Sequence, residues 1–202
     1  MSAQEFTKQS SDTALVVLHY QNDVLHPDGL IRVGISQGDP ARAQLIAAAK
    51  RLLSAARAKH WAVVHVRIAF RPDYADMPVN MPIFQRTKEL GAVRDGHWGS
   101  EFFEELAPVA GPREFALMHN RISGFYGTTL EPLLRHLGCS KLVIAGVATH
   151  SVVESTVRDA ADRGFEVRVV ADACSAADAA VHQASLNSMA LIAQIITTDA
   201  LA

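Results

Sequence analysis

The feature that most constrains the fold is a regular alternation of short apolar runs with segments of helical spacing. Most of the runs are rich in Val, Ile and Leu, which is typical of strands buried on both faces of a sheet. They are Thr13 to Leu18, Ala62 to Ile68, Glu114 to Met118, Lys141 to Gly146, Glu166 to Val170 and Ala193 to Thr197. The alternation predicts an α/β fold with a mostly parallel sheet, helices on both faces and right-handed crossovers.

The clearest helix follows the first strand, where Asp39 is expected as the N-cap and Pro40 at the first helical position. Its apolar stripe consists of Leu45, Ile46, Ala49, Leu52, Leu53 and Ala56. Two later helices begin with residues that match the capping box, in which two side chains satisfy free amides reciprocally. These pairs are Thr128 with Glu131 and Ser151 with Glu154.

Length and charge limit the class of protein. A chain of 202 residues is expected to form one domain over residues 1–202. The net charge of -2 suggests no nucleic-acid partner. Apolar stretches such as Leu142 to Ala148 are too short to cross a bilayer, and no signal-peptide segment is recognised, so we expect a cytoplasmic protein without a membrane partner. Cys139 and Cys174 are expected as reduced thiols.

One long irregular stretch, Ala69 to Pro112, separates the second and third predicted strands. It is expected to contain a short helix from Ser100 to Leu106. Loops of this length in compact domains are usually functional. The alternative is a surface insertion that packs on the sheet edge or completes a neighbouring subunit, and its apolar residues offer a contact surface for a homodimer or homotetramer.

Polar residues follow several strands at the carboxyl edge of the predicted sheet, where ligands of open parallel sheets bind. His19, Arg67, His119, Arg121 and His150 all fall on this rim. A glycine-rich phosphate loop is absent after the first strand, which gives a dinucleotide or nucleoside triphosphate site little support. The sequence therefore predicts a small-molecule site built from histidines and arginines.

Three segments in this order resemble the isochorismatase-like (cysteine hydrolase) superfamily. The first strand and its end, Leu15 to Asp23, resemble the opening strand of that family, and Ile122 to Leu130 resemble its third-strand loop. Gly146 to Gly164 resemble its signature turn and helix. The resemblance implies a three-layer, Rossmann-like fold with a six-stranded parallel sheet, and a cis or strained peptide bond between Val147 and Ala148.

The resemblance also implies hydrolysis through an Asp, Lys and Cys triad, and this chain departs from it at all three positions. The Asp position falls on His19, the Lys position on His119 and the Cys position on Val152. Valine offers neither a nucleophile nor a proton, so thioester chemistry is excluded at residue 152. Cys139 and Cys174 are poor replacements, because one lies at the amino end of a strand and the other follows a different strand.

His19 and His119 remain as acid and base candidates, because an imidazole titrates near neutrality. We expect them at neighbouring strand ends, facing one crevice and bridged by water. The alternatives are two structural histidines, or a metal site that also includes His150. The metal alternative is disfavoured because the loop after the second strand lacks the Asp-x-His arrangement that the family's metal-binding members use. Neither a metal nor a cofactor is expected.

The turn at Ala148, Thr149, His150 and Ser151 is expected to bind an oxyanion or substrate, because a helix start presents free amides and a positive dipole end. Arg67 and Arg121 are candidates for a substrate carboxylate, and Tyr126 for an apolar wall. The predicted function is a hydrolase or lyase acting on a small polar or carboxylated molecule. The alternative is a non-catalytic relative that binds a metabolite in the same crevice.

Overall fold

The computed structural model describes residues 11–201, and its sheet has six strands that all pair in parallel. The strands are β1 (Thr13–Leu18), β2 (Ala62–Ile68), β3 (Glu114–His119), β4 (Lys141–Val147), β5 (Glu166–Ser175) and β6 (Gln194–Ile196). Their order in the sheet is β3-β2-β1-β4-β5-β6. The predicted α/β fold is therefore confirmed. The central strands β1, β2, β4 and β5 pack into the buried core, whereas the edge strands β3 and β6 are only partly buried, which differs from the prediction of burial on both faces.

The sheet is flanked by helices. The α-helices are α1 (Asn22–Leu25), α2 (Ala41–Ala58), α3 (Pro82–Leu90), α4 (Leu130–His136), α5 (Glu154–Asp162) and α6 (Ala179–Met189). Short 3-10 turns cover Trp98–Ser100, Glu104–Leu106 and Thr198–Leu201. No helix between residues 11 and 201 combines the length and the apolar character that crossing a membrane requires.

The sequence located the start of α2 but misjudged the later helix starts. α2 begins at Ala41 with Pro40 at its N-cap, one residue later than predicted, and the Asp39 side chain accepts a hydrogen bond from the Ala41 amide at 2.8 Å. Neither predicted capping box forms. In the first box, Thr128 Oγ1 accepts from the Leu130 amide at 3.2 Å, but the Glu131 carboxylate accepts from Arg135 and Arg163 instead of reaching back. In the second box, a π-helical turn, Thr149–Val153, precedes α5, and the Glu154 carboxylate accepts from Ser185 Oγ at 2.6 Å instead of reaching back.

The long stretch between β2 and β3 also differs from its prediction. A helix was expected from Ser100 to Leu106, but that segment contains parts of two 3-10 turns, and α3 lies earlier. α3 begins with Pro82 in its first turn and ends at Gly91, which adopts the left-handed conformation at φ 66°. Proline at the start and glycine after the end are a known helix signature, which the sequence analysis passed over.

The direction of the strand crossovers changes between β1 and β4, which are neighbours in the sheet. From β1 the chain moves outward through β2 to β3, and from β4 it moves the other way through β5 to β6. Loops that leave β1 and β4 therefore separate at their carboxyl ends and open a crevice. This point of the sheet is where open α/β folds bind ligands.

Candidate active site

A cavity of about 670 Å³ lies at the carboxyl ends of β1 and β4. Its walls are mostly aliphatic side chains, which come from the loop after α1, from the long stretch between β2 and β3 and from the turn after β4. The apolar lining residues are Val24, Leu30, Ile31, Val33, Ile68, Pro82, Ile83, Phe84, Leu90, Val93, Ile122, Val147, Ala148 and Val152. The polar lining residues are His19, Arg32, Arg86, Thr87, Arg121 and Ser151.

His19 forms part of the cavity wall and His119 lies directly behind it. The two Nε2 atoms are 2.5 Å apart, and the ring centroids are 4.8 Å apart. A bridging water was expected between the rings, but this separation leaves no room for one. The two imidazoles are therefore arranged in series from the cavity inward, with one proton between their facing nitrogens.

The contact is formed across the end of β2, which separates β1 from β3 in the sheet. The expectation that the two histidines sit on neighbouring strands was therefore wrong. His19 follows the last residue of β1 with a positive φ of 59°, and its amide donates to the carbonyl of Val66 at 2.9 Å. A positive φ is uncommon for a residue with a side chain, and here it accompanies the contact between the two rings.

Burial dominates the protonation of both rings. It lowers the pKa of His119 to about 4, although a hydrogen bond with the Ser123 carbonyl, 3.2 Å from Nδ1, opposes the shift. Burial also lowers the pKa of His19 well below its usual value, and the charge of His119 adds to this effect while the Val147 backbone opposes it. Both imidazoles are therefore neutral at pH 7.

The turn after β4 forms another wall of the cavity. The peptide bond between Val147 and Ala148 is cis, as predicted. The Ala148 carbonyl accepts hydrogen bonds from the amides of Ser151 (3.2 Å) and Val153 (3.3 Å). Val152 is 1% exposed and lines the cavity. The turn of Ala148 to Ser151 stays a predicted oxyanion site.

Four of the residues predicted to bind substrate lie elsewhere. Arg67 pairs with Asp95 at 2.8 Å, because side chains alternate along β2 and its neighbour Ile68 is the one that lines the cavity. Tyr126 is 65% exposed and lines a shallower depression next to the cavity, which shares Arg121 and Ile122 with it. Thr149 is buried against α6, where its hydroxyl bonds His182 Nδ1 at 2.8 Å, and His150 is exposed.

The structure also bears on the remaining candidates. Cys139 and Cys174 are free and buried, and burial raises the pKa of Cys174 to about 12. Between residues 11 and 201, no three His, Cys, Asp or Glu side chains cluster as a metal site would require. Of the predicted arginines, Arg121 does line the cavity.

Sequence reasoning missed the polar groups that hold the cavity together. Gln21 is fully buried: its Nε2 donates to the carbonyls of Ile68 (2.9 Å) and Ser100 (2.8 Å), and its Oε1 accepts from the Ile68 amide (2.8 Å). Asp23 accepts from the amides of Leu30 (3.2 Å) and Val93 (2.7 Å), so it joins two loops of the cavity wall. The sequence signal for these residues was their position: polar side chains such as Gln21 and Asp23 directly after an apolar strand are expected to be buried and hydrogen-bonded.

Arg32 is the other missed residue, and it lies in the loop between α1 and α2. It lines the cavity, and its Nη1 is buried without a hydrogen-bond partner. Nothing in its surrounding sequence distinguishes it from other surface arginines.

Comparison with known proteins identifies the family. The Isochorismatase domain model matches residues 13–200. The uncharacterised isochorismatase family protein YecD of Escherichia coli is 32% identical over 87% of this chain and 86% of its own length. The ureidoacrylate amidohydrolase RutB of Serratia proteamaculans is 32% identical over 80% of this chain and 69% of its own length.

Solved structures agree with this assignment. An isochorismatase family protein from Desulfovibrio vulgaris superposes with a TM-score of 0.83 at 30% identity, covering 94% of this chain and 96% of that one. A cysteine hydrolase from Pseudomonas syringae also gives 0.83, at 25% identity, and covers 94% of this chain and 90% of the other. The match over nearly the whole described chain, together with the parallel sheet and the cavity at its switch point, shows that this protein belongs to the isochorismatase-like hydrolase family.

Proposed function

We propose that this protein is a hydrolase of a small carboxylated molecule in which water, and not a thiol, attacks the substrate. The observation that carries the proposal is the pair formed by His19 in the cavity wall and His119 directly behind it. Val152, at the position that the resemblance aligns with the family's nucleophile, has no group that could attack a substrate. A water molecule activated by an imidazole base would replace the missing thiol.

The contact between the rings suggests how the proton moves. Nε2 of His19 faces His119, so Nδ1 is the nitrogen of His19 that would accept a proton from water as the hydroxide oxygen attacks the substrate carbonyl carbon. His19 would then pass its Nε2 proton to Nε2 of His119, whose Nδ1 donates to the Ser123 carbonyl. On breakdown of the tetrahedral intermediate the proton returns through His19 to the leaving group.

An amide is the reacting group that the comparisons favour. The relative from Serratia proteamaculans is named a ureidoacrylate amidohydrolase. Neutral imidazoles suit this chemistry at neutral pH, because only the unprotonated ring can accept a proton from water. The low pKa values of both rings keep that form populated down to acidic pH.

A second candidate function is the binding of a metabolite without turnover. One observation favours it: both ring nitrogens of His119 are already bonded, Nε2 to His19 and Nδ1 to Ser123. In this second function the pair would serve only as one wall of the cavity.

A substrate screen with a pH profile separates the two functions. The purified protein is incubated with a panel of N-acyl and N-carbamoyl amino acids and other carboxylated amides, and product formation and melting temperature are both followed. Hydrolysis should be found with at least one compound, and its rate should stay constant from pH 8 to about pH 5 and fall only near pH 4, because His119 has a pKa of about 4. Thermal stabilisation by a ligand without product would contradict the hydrolase and support the second function.

A further inference from the structure

The cavity combines apolar walls with an excess of positive charge. Fourteen of its twenty-one lining residues are apolar, three are arginines, and no Asp or Glu lines it. The imidazole of His19 adds no compensating negative charge. A ligand that matches such a cavity presents an apolar body to the walls and one anionic group to an arginine.

Of the three arginines, Arg32 is the one with a nitrogen that is buried without a hydrogen-bond partner. Arg86 is paired with Glu89 at 3.1 Å on the surface. The Nη1 of Arg121 donates to the carbonyls of Asp76 (3.3 Å) and Asn120 (2.8 Å).

Arg32 instead has one nitrogen, Nη1, that is buried and unpartnered, while Nη2 donates to the Pro27 carbonyl at 3.0 Å. A buried donor without a partner costs stability, and most such groups are satisfied by protein, water or ligand. Arg67, outside the cavity, also has a buried unpartnered Nη1, so the distinguishing feature of Arg32 is that its free nitrogen belongs to a cavity-lining side chain, where a bound anion would supply the acceptor.

The backbone on both sides of Arg32 is held in place. On one side, the Leu30 amide donates to the carboxylate of Asp23 (3.2 Å), and the Ile31 amide donates to its carbonyl (2.9 Å). On the other side, the carbonyl of Gly34 accepts from the Ser175 hydroxyl at 2.8 Å. A guanidinium carried by such a fixed loop loses little conformational freedom when it binds a ligand.

Gly34 explains how closely this loop approaches the active-site turn. A Cβ on Gly34 would overlap the Val147 side chain, so only glycine allows the loop to pack against the turn after β4. This packing closes one side of the cavity and places Arg32 and His19 on the same enclosed space.

We propose that the ligand of this cavity is an amphipathic carboxylate, with an alicyclic, aromatic or branched apolar body against the aliphatic walls and its carboxylate on Arg32. The inference rests on the proposed function for the location of the site and narrows its substrate class. At about 670 Å³ the cavity lies within the range of drug-sized ligand pockets. A short acyclic acid would leave most of the apolar wall in contact with water.

The first test compares three probes that separate the body from the charge. Phenylacetate carries both, phenylacetamide has the same shape without the charge, and acetate has the charge without the body. Binding is measured by isothermal titration calorimetry. Phenylacetate should bind at least 10-fold more tightly than either of the other two. Equal or tighter binding of phenylacetamide would overturn the proposal that the ligand is anionic. Equal binding of acetate would overturn the proposal that the ligand carries an apolar body.

The second test locates the carboxylate. Arg32→Met keeps the length and apolar character of the side chain, and it should weaken phenylacetate binding at least 10-fold while leaving phenylacetamide binding unchanged. Arg67→Met is the matched control, because Arg67 pairs with Asp95 outside the cavity, and it should bind as the wild type does. Unchanged phenylacetate binding by Arg32→Met would overturn the role of Arg32. Arg32→Gln gives a second neutral variant if the methionine variant folds poorly.

The two proposals fail in different ways. If phenylacetate binding requires Arg32 but the protein hydrolyses none of the amides in the screen, the proposed hydrolase activity is contradicted and the proposed ligand class is supported. Hydrolysis of short polar amides without phenylacetate binding would remove the ligand class and leave the hydrolase standing.

Discussion

Two clusters of buried histidines in this protein differ in what surrounds them. His65, in the middle of β2, is fully buried, and its Nε2 lies 2.9 Å from the Glu114 carboxylate. That carboxylate also accepts from Arg57 at 2.7 Å. His19 and His119 are equally enclosed, but between residues 11 and 201 no carboxylate pairs with either ring.

Under the proposed function, the difference separates a structural histidine from a reactive one. Burial lowers the pKa of His65, while Glu114 opposes the shift, and the three side chains form a hydrogen-bonded link between α2, β2 and β3 that leaves only Nδ1 of His65 without a partner. Within residues 11–201, the hydrogen-bond partners of the two rings at the cavity are each other and the Ser123 carbonyl. These rings stay neutral and are available to move a proton, which the His65 cluster, without a cavity, is not.

The largest expected effect is on turnover. His119→Gln should lower kcat by about 100-fold or more, because general acid–base catalysis contributes ~10²–10⁴. His65→Gln is the matched control, since it removes an equally buried imidazole outside the cavity, and it should retain most of the activity. The assay uses whichever amide the screen identifies. Equal losses in the two variants would erase the proposed distinction between the clusters.

The next effect is on the pH dependence of stability. The folded state keeps His119 neutral down to about pH 4, whereas the unfolded chain takes up that proton near pH 6.5. The contribution of His119 to the free energy of unfolding is therefore fully present above pH 6.5. It is lost as the pH falls toward 4, and the loss for this one group amounts to at most about 3 kcal/mol.

His119→Gln should flatten that dependence in urea unfolding experiments between pH 7 and pH 4. His65→Gln should flatten it less, because the carboxylate of Glu114 already favours the protonated ring of His65. An equal change in slope for both variants would contradict the role assigned to Glu114.

Removal of the Glu114 carboxylate should lower the free energy of unfolding by an intermediate amount. Glu114→Ala leaves the Nε2 of buried His65 without its partner, and the free energy of unfolding should fall by about 1–3 kcal/mol. Glu89→Ala removes an exposed pair with Arg86 and should change it by less than about 0.5 kcal/mol. Urea denaturation at pH 7 measures both. A Glu114→Ala variant as stable as Glu89→Ala would mean that the His65 cluster contributes nothing.

The smallest effect concerns thiol labelling at the turn after β4. The wild type should resist iodoacetamide near neutral pH, because Cys139 and Cys174 are buried and burial raises both thiol pKa values. Val152→Cys should gain one adduct by intact mass, since residue 152 lines the cavity.

Val153→Cys is the matched control, because residue 153 is fully buried and is not part of the cavity lining, so it should not be labelled. Repeating both variants with Cys139→Ala and Cys174→Ala assigns the adduct. Labelling at residue 153 but not at 152 would show that the cavity has been assigned to the wrong face of the turn.

The elements of the fold were largely readable from the sequence, because their signals are local. β1 and β2 have the predicted bounds, and β4 extends the prediction by one residue. β5 runs to Ser175, five residues beyond its apolar core, because its second half pairs with the end of β4 after an irregularity in the register. Periodic burial and β-branched composition specify where a strand lies, but pairing with a neighbour decides where it ends.

The sequence by itself determined the α/β fold, the family and the carboxyl edge of the sheet at which His19 and Val152 line the cavity, with His119 behind His19. The tertiary structure alone decided that the two imidazoles touch across the end of β2, that Arg67 turns away toward Asp95 and that Arg32 enters the cavity instead. The physical reason is separation along the chain. Hydrophobic periodicity reports only on near neighbours, whereas contacts between residues 100 positions apart depend on strand order, register and the closure of loops, which no local pattern encodes.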